Sequence, residues 1–100
     1  MIKHIVLWKM KDNAEGASAI ENATKIVDML HDLKGKIPSL ISIEAGIDFN
    51  RSGAAWDLAL YSSFQNTEDL NNYQIHPEHQ KVATFIRAVT EDRCVVDFEI

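Results

Sequence analysis

One short stretch, Tyr73-Gln74-Ile75-His76-Pro77-Glu78-His79, brings together a phenol and two imidazoles. An imidazole with an ordinary pKa near ~6.5 can take up a proton at neutral pH. A phenol can donate a hydrogen bond to an oxyanion as it develops. The two together suffice to remove a proton next to a carbonyl group, with aldol closure or isomerisation to follow. The spacing bears on where these groups point. Pro77 disfavours helical geometry at His76 and suits the first turn of a new helix, so the stretch is expected to join two helical pieces. Beyond it, Val82, Phe85, Ile86 and Val89 form one apolar helix face. Extended backwards, that face includes His79, whose ring is expected along the buried edge. A histidine there is also well explained as a hydrogen-bonded boundary residue, and that structural reading stands beside the catalytic one.

The elements that must position these groups follow from pattern. Ile2 to Lys9 is short and rich in β-branched residues, with Ile2, His4, Val6 and Trp8 on one face and Lys3, Ile5, Leu7 and Lys9 on the other. Both faces are apolar in the middle, as in a strand covered on both sides. Helical spacing at Ile20, Ala23, Ile26, Val27, Leu30 and Leu33 predicts a helix over 14–34, capped by Asp12 or Asn13 and stopped by Gly35. His31 near its end reads as a surface residue. Leu40 to Asp48 alternates as a half-buried strand. Ala55 to Ser63 is a second doubly apolar strand, with Trp56, Leu58 and Leu60 on one face and Ala59 and Tyr61 on the other. Asn66 can cap a helix from Thr67 towards Ile75. The second helical piece runs to about Thr90, and Arg93 to Ile100 is the last strand, with Cys94 as a small core or boundary residue.

The order β-α-β-β-α-β predicts an α+β, ferredoxin-like domain spanning residues 1–100: a four-stranded antiparallel sheet with the helices on one face. That topology puts the first and third strands in the middle, and these are the two that are apolar on both faces. The face away from the helices would then expose Ile5, Leu7, Ala59 and Tyr61. A second copy of the chain, sheet against sheet, is the expected cover.

If the opposite face of the first strand meets the helices, His4 and His79 can reach one pocket, walled by Trp8, Trp56, Leu58 and Leu60, with His76 beside it. A mostly apolar cleft with a few converging polar groups suits a small apolar or carbonyl-containing ligand. No cofactor motif is present. His4, His79 and a carboxylate such as Glu78 match no characteristic metal-ligand spacing, so no metal is expected. The chain has a formal net charge of −5 and no basic cluster, which disfavours nucleic acid and anionic membranes as partners. A single cysteine excludes an internal disulfide. Nothing approaches the length of a membrane span or carries a signal-peptide pattern, and a cytoplasmic location is expected.

The opening Ile2-Lys3-His4-Ile5-Val6-Leu7-Trp8-Lys9, the Tyr73…His76-Pro77-Glu78-His79 stretch and the closing Val95-Val96-Asp97-Phe98 resemble the stress-responsive α/β-barrel (Dabb) family. The resemblance covers nearly the whole chain. It implies a ferredoxin-like subunit that pairs through its sheet into a dimeric α/β barrel. Family members include stress-induced stable proteins without an assigned reaction, and plant polyketide cyclases. In the cyclase branch the tyrosine and second histidine carry the chemistry and a first-strand histidine lines the pocket. The resemblance thus implies Tyr73 and His79 as the catalytic pair and His4 as a pocket residue. The cyclases place aromatic residues around the pocket on the first helix. This chain offers Asn22, Ala23, Thr24 and Val27, which points to a smaller or different substrate. Two functions stay open: a cofactor-independent lyase, cyclase or isomerase, and a non-catalytic stress-responsive stable dimer.

Overall fold

The computed structural model describes residues 1–100. Strand β1 (Ile2–Met10) lies at the centre of a four-stranded antiparallel sheet. Strand β5 (Leu58–Phe64) flanks it on one side and β6 (Thr90–Glu99) on the other, with β4 (Ser42–Ile47) outside β5. Three helices, α1 (Ala19–His31), α2 (Thr67–Ile75) and α3 (Pro77–Val89), cover one face. The alternation along β1 divides as its sequence requires: Ile2, His4, Val6, Trp8 and Met10 are buried beneath the helices, while Lys3, Ile5, Leu7 and Lys9 are half-buried on the other face. Eighteen apolar residues form one continuous core between sheet and helices. The fold is the ferredoxin-like α+β arrangement.

The first helix begins later than its apolar periodicity predicts. Residues 13–18 instead form a small hairpin of β2 (Asn13–Ala14) and β3 (Ala17–Ser18). Its two turn residues, Glu15 and Gly16, have φ of 50° and 75°, the paired positive values of a type I′ turn. Helix α1 then starts behind a capping box. Ser18 Oγ accepts from the Glu21 N–H, and Glu21 Oε1 accepts from the Ser18 N–H. The cap is therefore Ser18, not Asp12 or Asn13. Asn22 is buried and its amide donates to the Ala14 carbonyl at 3.0 Å, tying the hairpin to α1.

The sheet face away from the helices has no cover. Ala59, Tyr61, Val96 and Phe98 are exposed on it, beside the half-buried Ile5 and Leu7. Cys94 belongs to this face too, opposite Leu7 in register, and is exposed rather than a core or boundary residue. Strand β6 has a sheet neighbour on one side only, which leaves even its apolar residues open.

Candidate functional site

Pro77 creates the site by breaking a helix. His76 takes an extended conformation (φ −64°, ψ 136°) between α2 and α3. In an unbroken helix the Glu78 N–H would bond the Gln74 carbonyl four residues back. Here the Glu78 N–H donates to Nδ1 of His76 at 3.1 Å, so the Gln74 carbonyl is free for other donors. It accepts from Nδ1 of His79 at 3.0 Å and from the side-chain amide of Gln80 at 2.6 Å. The bond to a carbonyl requires His79 to carry its proton on Nδ1, which leaves Nε2 with a free lone pair.

Two causes keep that lone pair available. Burial holds the His79 pKa below the ordinary histidine value, with the positive charges of His4, Arg87 and Arg93 adding in the same direction against the raising effect of the Gln74 bond. His79 also lies in the first turn of α3, where the positive end of the helix dipole opposes an imidazolium. The neutral imidazole is thus the favoured form near neutral pH.

Tyr73, in α2, stands next to His79 with ring centroids 4.5 Å apart. It is completely buried against Phe64, whose centroid is 5.0 Å away, and its hydroxyl has no hydrogen-bond partner in the protein. Burial pushes its pKa well above the usual phenol range, so the hydroxyl stays protonated and able to donate. A buried hydroxyl without a partner is costly unless something else engages it.

His4 enters from the sheet, its centroid 6.4 Å from that of Tyr73. Its Nδ1 pairs with the carboxylate of Asp97, the residue directly opposite it on β6. The carboxylate therefore fixes the orientation of the ring. Sequence reasoning missed Asp97. Its place on the face with Val95 was legible, but the register that sets it opposite His4 was not.

These groups line one cavity of about 720 Å³. His4, Trp8, Leu60, Tyr73 and His79 meet there, with Val6, Leu30, Ala83 and Ile86 completing the apolar wall. Trp8 contributes a second buried donor without a partner, its indole N–H. Arg87, Thr90, Glu91, Asp92 and Arg93 form the remainder of the lining. Helix α1 reaches the cavity through Leu30; Asn22, Ala23, Thr24 and Val27 do not line it.

Three expected site residues lie elsewhere. Trp56 precedes β5 rather than sitting within it, so the strand's alternation does not carry it to the cavity. It lines a separate groove of about 410 Å³ with Leu7, Phe49 and Ala59. Leu58 is a core residue at the far end of β5, opposite Trp8 and Ile47, and borders the same separate groove. His76 spends its ring on the cap of α3. No three His, Cys, Asp or Glu side chains converge as a metal site would require. No helix is long and apolar enough to cross a membrane.

Comparison with known proteins places this arrangement in context. The family model of the stress responsive A/B barrel domain matches residues 2–100. The stress-response A/B barrel domain-containing protein DABB1 of Arabidopsis thaliana is 30% identical over 98% of this chain, which covers 46% of that protein. The chain thus spans less than half the length of the curated relatives it matches. A dimeric, ferredoxin-like protein of unknown function from Bacteroides fragilis superposes with a TM-score of 0.85 at 33% identity, over 99% of this chain and 95% of that one. The hydroxynitrile lyase of Passiflora edulis shares the fold at 19% identity, with a TM-score of 0.81 over 99% of this chain and 92% of its own. With the family match running from the first residue of β1 to the end of the chain, this protein belongs to the stress responsive A/B barrel domain family.

Proposed function

We propose that this protein is a homodimer whose cavity removes a proton next to a carbonyl group without a cofactor, as a lyase, cyclase or isomerase. The observation that carries this reading is the Tyr73 hydroxyl: buried, protonated, without a partner, and beside an imidazole whose Nε2 is free. Nε2 of His79 takes the proton from the carbon next to the carbonyl. The C–H electron pair moves into the new carbon–carbon double bond, and the carbonyl π pair moves onto oxygen. The Tyr73 hydroxyl donates to that oxyanion, and the imidazolium returns its proton to the product or leaving group. His4, braced by Asp97, orients the ligand from the sheet side. That the fold also serves a hydroxynitrile lyase is compatible with this reading.

The dimer is supported by the uncovered apolar sheet face and by the dimeric state of the Bacteroides fragilis relative. A cytoplasmic location belongs to the same reading, with Cys94 as a single unpaired thiol. A stable, non-catalytic dimer is favoured by one specific observation: the bond from His79 to the Gln74 carbonyl also braces the helix joint.

A thermal-shift screen of small phenolic and keto compounds, repeated with His79→Ala and Tyr73→Phe, tests the site. Ligands of the wild type are expected to bind both variants more weakly. Ligands that bind all three proteins equally would remove this pair from recognition. The pH dependence provides a separate check. Burial disfavours the imidazolium, so the free base persists to lower pH, and proton removal should decline only below the 6.5 of an ordinary histidine. On the alkaline side the raised pKa of Tyr73 keeps its proton in place beyond the ordinary phenol value of 10.0. An acid limb at or above 6.5 in the pH profile of kcat/KM, which reports the ligand-free protein, would mean that His79 is not the base.

A further inference from the structure

We propose that the substrate of this cavity is a carbonyl compound bearing a carboxylate, which Arg87 and Arg93 hold at the mouth. The inference rests on the reading of the cavity as a carbonyl site and adds the class of substrate.

Both guanidinium groups line the same cavity as Tyr73 and His79, and they come from different elements. Arg87 stands two turns after His79 on α3, so the face that presents the imidazole also presents the guanidinium. Arg93 lies opposite Trp8 in the sheet register and shares its face. Neither arginine is in an ion pair; those present join His4 to Asp97, Arg51 to Asp48 and Asp57, and Lys81 to Glu78. The only side-chain bond of Arg87 goes to Thr84 Oγ1 at 3.4 Å, and the Arg93 guanidinium has none.

Two carboxylates, Glu91 and Asp92, also border the mouth, and neither is ion-paired with Arg87 or Arg93. Asp92 stands opposite Lys9 in the register and accepts from the Arg93 backbone N–H. The two guanidinium groups are therefore free to take an anion at the mouth of the cavity. A planar carboxylate matches the fork of a guanidinium, and a charge-assisted bond of this kind is among the strongest that a small ligand can make. With the carboxylate at the mouth, the rest of the molecule extends inward and its carbonyl reaches Tyr73 and His79. The bound anion would also offset the positive field at His79 and strengthen the base once substrate is present.

Benzoate and its neutral isostere benzamide separate charge from shape. Binding of each is followed by NMR on the wild-type protein, on Arg87→Gln, on Arg93→Gln and on the double variant, together with titration of the His79 ring. Benzoate is expected to bind more tightly than benzamide, to lose affinity as salt is added, and to raise the His79 pKa. Each arginine removed should weaken benzoate by about tenfold and leave benzamide unchanged. The inference is overturned if benzamide binds as tightly as benzoate, if the double variant binds benzoate like the wild type, or if benzoate leaves His79 unaffected. It is equally overturned if the variants alter only dimer dissociation, which would mean that the arginines face a second subunit. Because binding is read without turnover, this result is independent of the reaction. Loss of the inference leaves proton exchange on neutral ketones intact, and loss of the carbonyl reading leaves benzoate bound with no exchange.

Discussion

His79→Ala is expected to slow proton removal by about a hundred- to ten-thousand-fold, the usual worth of a positioned general base. It should lower the melting temperature by no more than about 5 °C, which corresponds to roughly 1 kcal/mol for a domain of this size. The small cost follows from the joint. The Gln74 carbonyl loses the imidazole but keeps the Gln80 amide at 2.6 Å, so no buried acceptor is orphaned. His79 is also only half-buried, which limits the lost packing. If the ring were mainly a brace, the balance would reverse: about 1–3 kcal/mol of stability lost, with no rate to lose. Thermal melting and single-turnover kinetics on the same preparation separate the two cases.

Leu7→Asp is expected to turn the proposed dimer into a folded monomer. Leu7 sits mid-strand on the uncovered face, between Ala59 and Cys94 in the register. In the paired sheets its replacement would bury a carboxylate with no fixed partner, at about 3–5 kcal/mol each. Two copies meet in every dimer, so the dissociation constant should rise by about ten-thousand-fold or more. The monomer should keep its far-ultraviolet circular dichroism, because Leu7 takes no part in the core beneath the helices. Sedimentation at micromolar concentration checks both proteins. A monomeric wild type, or a variant still dimeric, would remove the sheet face as the interface.

The elements with strong local signals were legible from the residues alone. The doubly apolar β1 and β5 declared themselves central, Asn66 caps α2 through the Asp69 N–H, and Pro77 opens α3. Helix α1 shows the limit of periodicity. The apolar stripe reports which face is buried, not where the helix begins. Ser18 and Glu21 did carry the start signal, in capping-box spacing, and Glu15-Gly16 carried the turn, but the longer stripe overrode both. Trp56 was misplaced because alternation was extended past the start of β5.

The site divides in the same way. Tyr73 and His79 were legible because a proline fixes the joint between them. The partner of His4 was not, since cross-strand register is decided by the whole sheet. Arg87 lay within reach of the sequence: counting in fours from His79 along α3 gives Ala83 and then Arg87, and both line the cavity. Arg93 and Asp97 lie on an edge strand where most residues are exposed, and no local pattern there singles out the two that meet the cavity and His4.

Solvent deuterium is the direct probe of the proposed chemistry. Small ketones and oxo acids are incubated in D2O with the wild-type protein, and proton NMR follows the signal of the carbon next to the carbonyl. The expected result is loss of that signal at a rate proportional to protein concentration for at least one compound that binds the cavity, with the enhancement abolished in His79→Ala and strongly reduced in Tyr73→Phe. Cavity-bound carbonyl compounds that exchange no faster than in protein-free D2O, or that exchange equally well with both variants, would contradict a proton-transfer role for this pair.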